Sequence, residues 1–439
     1  MASAPVTQAP SHLRPAFYRR NLFLLVIDFL AFAVGLALMN GQTILADFVG
    51  RLSESEVLVG IIGVLFSVGV MVPQLAVAPA VARSTRKRLW VVIPGIPGRS
   101  MMFVIAVSIV LLGVENPVPI LVIIFLGIGA FAICDGMSAV GWLDILGTVL
   151  PNDRRGRVFG IARTASSLII LLIVSDLVGY VLDARTGPAY PYDYALLFIL
   201  AGVCYQISLI AFVFIKEPPR SQPVTESPTT RRDYMAFLRH TLRHDTRYRD
   251  YLAARLLTEV GLIAGPFYIR FATESLGIPS AEAVSRAIQV STLGSLLAAM
   301  ALGWLSERRG SRLVILIGVV TVIAQPVAAL LAGVGSAWLI YAAFAASGVY
   351  WATHEAGMLN WIIEYADDSR RAIYFSLTST FNIVAVASPV LGGIIAERLS
   401  YEALFVVALG ISLAALVLSL RLIEPRTLQN LEPAVQSAD

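Results

Sequence analysis

Ionisable residues inside long apolar stretches are the features of this sequence that could do chemistry. Asp28, Asp135, Glu259, His354 and Glu355 interrupt stretches that are otherwise almost free of charge. A charged side chain near the centre of a bilayer costs roughly 3 kcal/mol or more unless it faces protein or water. Carboxylates that meet in such a layer would bind a proton, a cation or a cationic group of a solute. His354 adds the one embedded side chain of a type that titrates near neutral pH.

Further charges in these stretches have simpler alternative roles. Arg255 precedes Glu259 by four residues, so the two could pair along one helix face instead of binding a ligand. Arg99 could neutralise an acid on a neighbouring segment, and Asp176 has no obvious partner in the sequence. Arg270 lies near the end of its stretch, and we expect it to extend its guanidinium group to the membrane surface.

The sequence argues against an enzyme and against a metal or cofactor site. The stretch from His354 to Met358 resembles the start of a zinc-protease helix, but a methionine stands where the second histidine ligand is required. The two cysteines and four histidines are spread too widely for a metal centre, and no phosphate-binding Gly-rich loop with a following Lys-Ser or Lys-Thr occurs. We therefore expect no enzymatic activity, no cofactor and no metal.

The composition indicates a membrane protein. Of the 439 residues, 57% are apolar and only 14% are charged, against about one-quarter charged in soluble domains. The 33 basic residues include only two lysines and form short clusters between apolar stretches, not a patch, so we expect no nucleic-acid partner. Tyr18-Arg19-Arg20 before the first stretch indicates a cytoplasmic anchor and not a cleavable signal.

The apolar stretches predict twelve membrane-spanning helices. A bilayer core about 30 Å thick needs roughly 20 apolar residues per crossing helix. Spans 1 to 12 are predicted at 21–48, 56–79, 89–113, 117–148, 160–183, 193–215, 251–273, 285–305, 313–334, 337–364, 372–396 and 401–422. The corresponding units are an N-terminal segment (1–20), two six-helix bundles (21–215 and 251–422), a central loop (216–250) and a tail (423–439).

The basic residues set the orientation of these spans. Twenty-five Lys and Arg residues fall on the side of the two termini and the central loop, and four fall on the other side. Because cytoplasmic loops are enriched in basic residues, both termini are predicted to be cytoplasmic. Residues 233–250 of the central loop form either an amphipathic helix on anionic lipid headgroups or an unstructured linker.

The two six-span halves resemble each other and contain a family motif. An Arg-Arg cluster follows both span 4 and span 10, and each of these spans has a tryptophan near its end, at Trp142 and Trp361. Such duplicated halves are typical of transporters. The loop between spans 8 and 9 resembles the G-x-L-x-[DE]-R-x-G-x-[RK] signature of the major facilitator superfamily. The matching residues are Gly303, Leu305, Glu307, Arg308, Gly310 and Arg312. With the 6 + 6 topology, this identifies the chain as a member of that superfamily, of bacterial type, with an all-α membrane fold.

The resemblance implies a central cavity lined by spans 1, 4, 7 and 10. Asp28, Asp135, Glu259, His354 and Glu355 lie on these four spans, and the carboxylates lie at depths of roughly 12–20 Å. The other cavity candidates on these spans are Asn40, Gln42, Tyr350, Trp351 and Asn360. In this family the motif resembles a gate latch between the halves, while the corresponding loop between spans 2 and 3 departs from the motif, with Arg83 where Glu307 would be.

The predicted function is secondary active transport. We expect a monomer in the bacterial inner membrane that moves a small organic solute by alternating access. Coupling to protons is possible, but the arginine of many proton-coupled members is missing from span 4. Efflux and uptake both stay open. The alternative is a membrane receptor or scaffold of the same fold that transports nothing.

Overall fold

The computed structural model describes residues 15–113, 117–149, 152–216, 243–366 and 371–426. The elements of this part of the chain are helical, which confirms the predicted all-α membrane fold. Eleven described helices are long and apolar enough to cross a membrane. The helical stretch 337–365 takes the place of predicted span 10, so the helices correspond to the twelve predicted spans. Most of the predicted interfacial helix of the central loop, at 233–242, lies outside the described residues.

The first six spans form the N-terminal half. Span 1 is Pro15–Leu38 and is followed, after a turn, by the short helix Ile44–Leu52. Spans 2, 3, 4 and 6 are single helices, at Glu56–Arg83, Lys87–Leu112, Pro117–Val149 and Tyr192–Val213. Span 5 consists of Asn152–Ile169, a π-helical turn at Ile170–Val174, and Ser175–Leu182.

The last six spans form the C-terminal half. Spans 8, 9 and 12 are single helices, at Ser280–Arg309, Ser311–Val334 and Tyr401–Leu420. Span 11 consists of Arg371–Val386 and Ser388–Arg398. Span 7 consists of Thr246–Gly261, a 3-10 turn at Leu262–Ala264, Phe267–Arg270 and a π-helical turn at Phe271–Ser275. Span 10 consists of a 3-10 turn at Ala337–Leu339, Ile340–Thr353, a π-helical turn at His354–Leu359, and Asn360–Tyr365.

Span 1 was predicted as one helix over 21–48, and the structure breaks it between Leu38 and Ile44. The break has a local cause, because the side-chain Oδ1 of Asn40 accepts a hydrogen bond from the backbone N–H of Gln42 at 2.9 Å. Asn side chains compete in this way with the helical backbone hydrogen bonds. The hydropathy of the segment does not register this local competition, which explains the difference.

The two halves touch closely at one side of the bundle. We call the side where span 1 begins and span 12 ends the termini side, and the other the opposite side. At the opposite side, span 2 packs against span 11 through Gly60 and Gly393. A Cβ atom on Gly60 would lie 2.3 Å from the carbonyl oxygen of Pro389, and one on Gly393 would lie 2.5 Å from that of Glu56. The described conformation is therefore closed at the opposite side.

This glycine contact predicts that added methyl groups destabilise the closed conformation. We expect Gly60→Ala and Gly393→Ala each to cost the closed conformation about 1–3 kcal/mol through overpacking. The conformation that is open at the opposite side should become more populated. To measure this population, a cysteine is introduced beneath the glycine contact, and a membrane-impermeant maleimide is added from the opposite side. A faster labelling rate reports a larger open population.

Gly410→Ala is the matched control. Gly410 lies on span 12, and a Cβ atom there would meet no other atom within 4 Å. This variant should label at the wild-type rate. Wild-type labelling of both Gly60→Ala and Gly393→Ala would show that the glycine contact does not limit opening.

Candidate functional site

Asp28 on span 1 is the centre of a buried polar group in the N-terminal half. Its carboxylate accepts hydrogen bonds from Trp142 Nε1 on span 4 at 2.7 Å and from Ser208 Oγ on span 6 at 2.5 Å. Arg99 on span 3 donates from Nη1 to the same Ser208 hydroxyl at 2.8 Å and to the backbone oxygen of Tyr205 at 3.0 Å. Asp28 and Arg99 thus lie on either side of one hydroxyl group, and both are buried.

Glycines in span 3 allow Arg99 to reach this position. A Cβ atom on Gly98 would lie 2.5 Å from the Cβ of Cys134 on span 4, and one on Gly95 would lie 2.9 Å from Leu209 on span 6. Small residues let membrane helices approach closely. Span 3 therefore packs tightly between spans 4 and 6, which carries the guanidinium group of Arg99 into the bundle.

Asp28, Arg99 and Asp135 line a cavity of about 210 Å³. We call these three residues the N-half cluster. The remaining lining residues are mostly apolar: Phe29, Phe32, Val91, Ser138, Ala139 and Trp142. The cavity has room for several water molecules, since one occupies about 30 Å³ in the liquid. With both acids ionised, the cluster carries one more negative than positive charge, so it suits a proton or a cation.

Arg255, Glu259 and His354 form a second buried group, which we call the C-half cluster. The distance from Arg255 Nη2 to Glu259 Oε1 is 3.9 Å, and that from Arg255 Nη2 to His354 Nε2 is 2.8 Å. Because a guanidinium group only donates, His354 accepts at Nε2 and is neutral. His354 Nε2 also lies 3.7 Å from the Glu259 carboxylate. The cluster therefore has one cation and one anion, and its charges balance.

Span 10 places further candidate site residues near this cluster, but one of them, Asn360, contacts another helix instead. His354 begins the π-helical turn, a feature that is frequent at functional sites. Tyr350 is buried beside Glu259, and the ring of Trp351 lies 6.0 Å from that of His354, with 48% of the residue exposed. Asn360 instead donates to Ser306 on span 8 at 3.4 Å, away from the C-half cluster. The side chain of Glu355 lies outside the described part of the structure.

Two of three further predicted site residues lie between the halves. Asn40 and Gln42 belong to the break after span 1, and Gln42 Nε2 would lie 3.2 Å from a Cβ atom on Gly265 of span 7. Asp176 accepts a hydrogen bond from Gln289 Nε2 on span 8 at 2.7 Å. The structure therefore places Gln42 and Asp176 at the contact between the halves instead of in either cluster, while Asn40 is exposed at the break after span 1.

A third group of charges closes the opposite side. We define the gate cluster as Glu56 on span 2, Arg270 and Glu274 on span 7, and Tyr401 on span 12. Arg270 donates from Nε and Nη2 to Glu56 Oε1 at 3.3 and 3.2 Å, and it also pairs with Glu274. A Cβ atom on Gly50 would lie 2.3 Å from the Arg270 guanidinium carbon, so this residue leaves room for the pair. The gate cluster joins the N-terminal half to the C-terminal half.

The gate cluster was not predicted from the sequence, and the expectation that Arg270 extends to the membrane surface is wrong. Arg270 is 4% exposed and bound to acids, so it does not extend to the membrane surface. Glu56 and Arg270 are 214 residues apart, and only the contact of the two halves unites them. The four-residue spacing of Arg270 and Glu274 was the available signal, because oppositely charged residues at that spacing share a helix face.

The family motif is fastened within the C-terminal half. Gly310 has a positive φ of 86°, and a Cβ atom there would collide with the carboxylate of Glu424 after span 12. Glu424 accepts from the backbone N–H of Arg312 at 3.0 Å. Arg426 donates to Glu364 Oε1 at the end of span 10 at 2.6 Å. The described contacts thus hold the loop between spans 8 and 9 and the ends of spans 10 and 12 together. The resemblance implies that this loop also latches the two halves to each other, and that role stays a prediction.

Comparisons with known proteins support one family across the chain. The family model described as Major Facilitator Superfamily matches residues 22–382 and 256–437. No curated protein matches the sequence.

Solved transporter structures are similar in fold. The structure of the nucleoside transporter NupG has a TM-score of 0.69 at 15% identity, covering 91% of this chain and 99% of that one. A POT family transporter in complex with 5-aminolevulinic acid has a TM-score of 0.66 at 14% identity, with 91% and 95% covered. The peptide transporter POT in complex with sulfate has a TM-score of 0.64 at 15% identity, with 92% and 94% covered. At these identities the likeness concerns the fold alone.

The N-half cluster predicts a pH-dependent loss of stability when Arg99 is removed. Arg99→Met leaves two carboxylates in the cavity without the nearby cation, and leaving a buried charge uncompensated costs up to about 3–5 kcal/mol. Protonation of the carboxylates relieves this cost. The thermal unfolding midpoint of the variant should therefore lie further below wild type at pH 8 than at pH 5. Adding Asp28→Asn to Arg99→Met should narrow the difference at pH 8.

Arg286→Met serves as the control for this measurement. Arg286 pairs with Glu282 at 3.0 Å, but its side chain is 48% exposed, and exposed pairs contribute at most about 1 kcal/mol. The control should stay near wild type at both pH values. If the thermal unfolding midpoint of Arg99→Met equalled that of wild type at pH 8, this would contradict the assignment of two ionised acids and one arginine to the N-half cluster.

Proposed function

Because the chain belongs to the major facilitator superfamily, we propose that it is a secondary transporter that moves a small organic solute by alternating access. The observation that carries the proposal is that the halves are closed at one side of the bundle while each half holds a buried polar cluster. The two halves are joined at the opposite side, through Gly60 and the gate cluster. The acids of the N-half cluster lie on spans 1 and 4, which correspond to spans 7 and 10 of the C-half cluster. Separation of the halves at one side and then the other would expose such clusters in turn.

The proposed orientation places both termini in the cytoplasm of a bacterial cell, with the protein a monomer in the inner membrane. The concentration of Lys and Arg on the termini side supports this orientation. On this assignment, the described conformation is closed towards the outside.

The solute is proposed to be an amphipathic organic molecule that contacts the C-half cluster. Trp351 offers a half-exposed aromatic face next to the His354 ring. Arg255, Glu259 and neutral His354 together offer donors and acceptors without a net charge. Ligand sites combine apolar walls with a few placed polar groups in this way. The nucleoside and peptide transporters of similar fold carry organic solutes by their descriptions, which agrees with this class.

Coupling to protons is proposed for the N-half cluster. Its surplus carboxylate gives it a place for one proton, whereas the charges of the C-half cluster already balance. Water in the cavity of about 210 Å³ would connect Asp28 and Asp135 to one face of the membrane when the halves separate there. Transport against a gradient then needs no cofactor.

The experiment begins with the solute. Purified protein is screened against a library of metabolites by thermal shift, since a ligand that binds only the folded protein raises its stability. Hits are then tested for flux into proteoliposomes with and without an imposed pH gradient. We expect at least one organic hit to show saturable flux that the pH gradient drives. Saturable binding without flux would overturn the proposal in favour of a receptor.

Variants separate coupling from solute binding. Asp28→Asn and Asp135→Asn should reduce gradient-driven flux to the level without a gradient, because each removes the surplus carboxylate, while exchange of labelled for unlabelled solute continues. Glu259→Gln should weaken both gradient-driven flux and exchange, because it changes the C-half cluster. Flux measurements on the same liposomes give both quantities.

Glu402→Gln is the matched control, since Glu402 is an exposed acid at the start of span 12. It should leave both rates at wild type. Wild-type gradient-driven flux in Asp28→Asn and Asp135→Asn together would remove the N-half cluster from the coupling mechanism.

A further inference from the structure

Tyr401 lies between two carboxylates in the gate cluster. Its phenol oxygen is 2.7 Å from Glu56 Oε1 and 2.7 Å from Glu274 Oε2. Both distances are typical of strong O–H···O hydrogen bonds. The acids belong to different halves, Glu56 to span 2 and Glu274 to span 7. The phenol thus bridges the two halves at the closed side.

If both acids are ionised, the bridge has one proton fewer than its two hydrogen bonds require. A phenol has a single O–H, and an ionised carboxylate has no proton to donate. One O–H cannot point in line at two oxygens at once, and hydrogen bonds weaken steeply when bent. Two contacts of 2.7 Å therefore need a second proton, which one of the carboxyl groups supplies. The bridge runs from one carboxylic acid, through the phenol, to one carboxylate.

The charges of the gate cluster lead to the same count. Arg270 provides one positive charge against the two acids. The side chains of Glu56 and Arg270 are only 8% and 5% exposed, and that of Glu274 is 44% exposed, which gives the proton access to water. Glu56 Oε2 is buried without a hydrogen-bond partner, so no second cation reaches it among the described residues. Glu56 is acted on by the charges of Arg270 and Glu274 and by the hydrogen bond from Tyr401. With one added proton, the cluster is neutral.

We propose that the gate cluster is a proton-binding site that is complete only when the halves meet at the opposite side. Closure brings Glu56 to Arg270, Glu274 and Tyr401, and one proton enters from the water at that side. The proton resides in the bridge between the two acids. Separation of the halves returns Glu56 to water and releases the proton. This inference rests on the proposed alternating access, and it assigns a second proton site, distinct from the N-half cluster.

Linkage gives the sign and size of the effect. Since the closed conformation holds one more proton than the open one, a lower pH favours closure. One proton changes the ratio of closed to open molecules by at most tenfold per pH unit. The closed fraction should therefore rise as the pH falls from 8 to 5.

The closed fraction is measured directly by spin-label distances. Cysteines replace the exposed residues Glu54, before span 2, and Glu402, on span 12, in a background with Cys134 and Cys204 changed to alanine. Double electron–electron resonance on the protein in lipid nanodiscs then gives the short (closed) and long (open) distance populations from pH 5 to pH 8. In the protein with an unmodified gate cluster, we expect the short-distance population to grow as the pH falls.

Two variants assign this dependence to the bridge. Glu274→Gln presents an N–H donor to Tyr401 at every pH, so it imitates the protonated acid and should keep the gate closed at pH 8 with a flattened pH dependence. Glu56→Gln imitates the same state from the other half and should also flatten the dependence. Glu282→Gln changes a partly exposed acid at the same side that pairs with Arg286. It is the matched control, and its gate should titrate like wild type.

The outcomes separate this inference from the transport proposal. A closed fraction that stays constant from pH 5 to pH 8 overturns the inference, as does an unchanged pH dependence in Glu274→Gln and Glu56→Gln. Neither result depends on a solute. If the gate titrates as expected but no solute is carried, the proton site stands and the transport proposal fails. If solute flux occurs but the closed fraction does not depend on pH, the transport proposal stands and the proposed proton site is wrong.

Discussion

The cost of an unmatched charge in an apolar bundle is the constraint on which this structure depends. A chain that is 57% apolar and crosses the membrane twelve times has little water to solvate its interior. Each buried arginine described above therefore lies next to a buried acid: Arg99 near Asp28, Arg255 near Glu259 and Arg270 at Glu56. The glycines of spans 2, 3 and 11 follow from the same constraint, because these pairs form only where helices approach closely.

Much of the fold was predictable from the sequence because the bilayer imposes a length on each crossing. Apolar stretches of about 20 residues, the repeated halves and the Gly303–Arg312 motif together identified the all-α fold and the family. The breaks in the helices were less predictable. The break after span 1 depends on one hydrogen bond of Asn40, and the π-helical turn at His354 leaves the hydropathy of span 10 unchanged. Hydropathy averages over such local events.

The sequence indicated which residues carry the candidate site, but not which of them meet. Asp28, Asp135, Glu259 and His354 were found because charge is rare in apolar stretches. Their partition into two clusters depends on how each helix is rotated and packed, as when Gly98 admits span 4 beside Arg99. The gate cluster was beyond reach for a further reason. Glu56 stands at the start of a span, where an acid is ordinary, and it becomes unusual only when the other half covers it.

The distribution of charge among the three clusters suggests a division of tasks. The C-half cluster has equal numbers of cations and anions, so a change in its exposure to water need not move a proton. The N-half and gate clusters each have two acids for one arginine, so each approaches neutrality only with one proton bound. Movement of the halves changes the water access of both. A solute bound at the balanced cluster would then travel without altering the charge there. The surplus acid of the N-half cluster would tie the same movement to the proton gradient, whereas the gate cluster would respond to the pH at the opposite side alone.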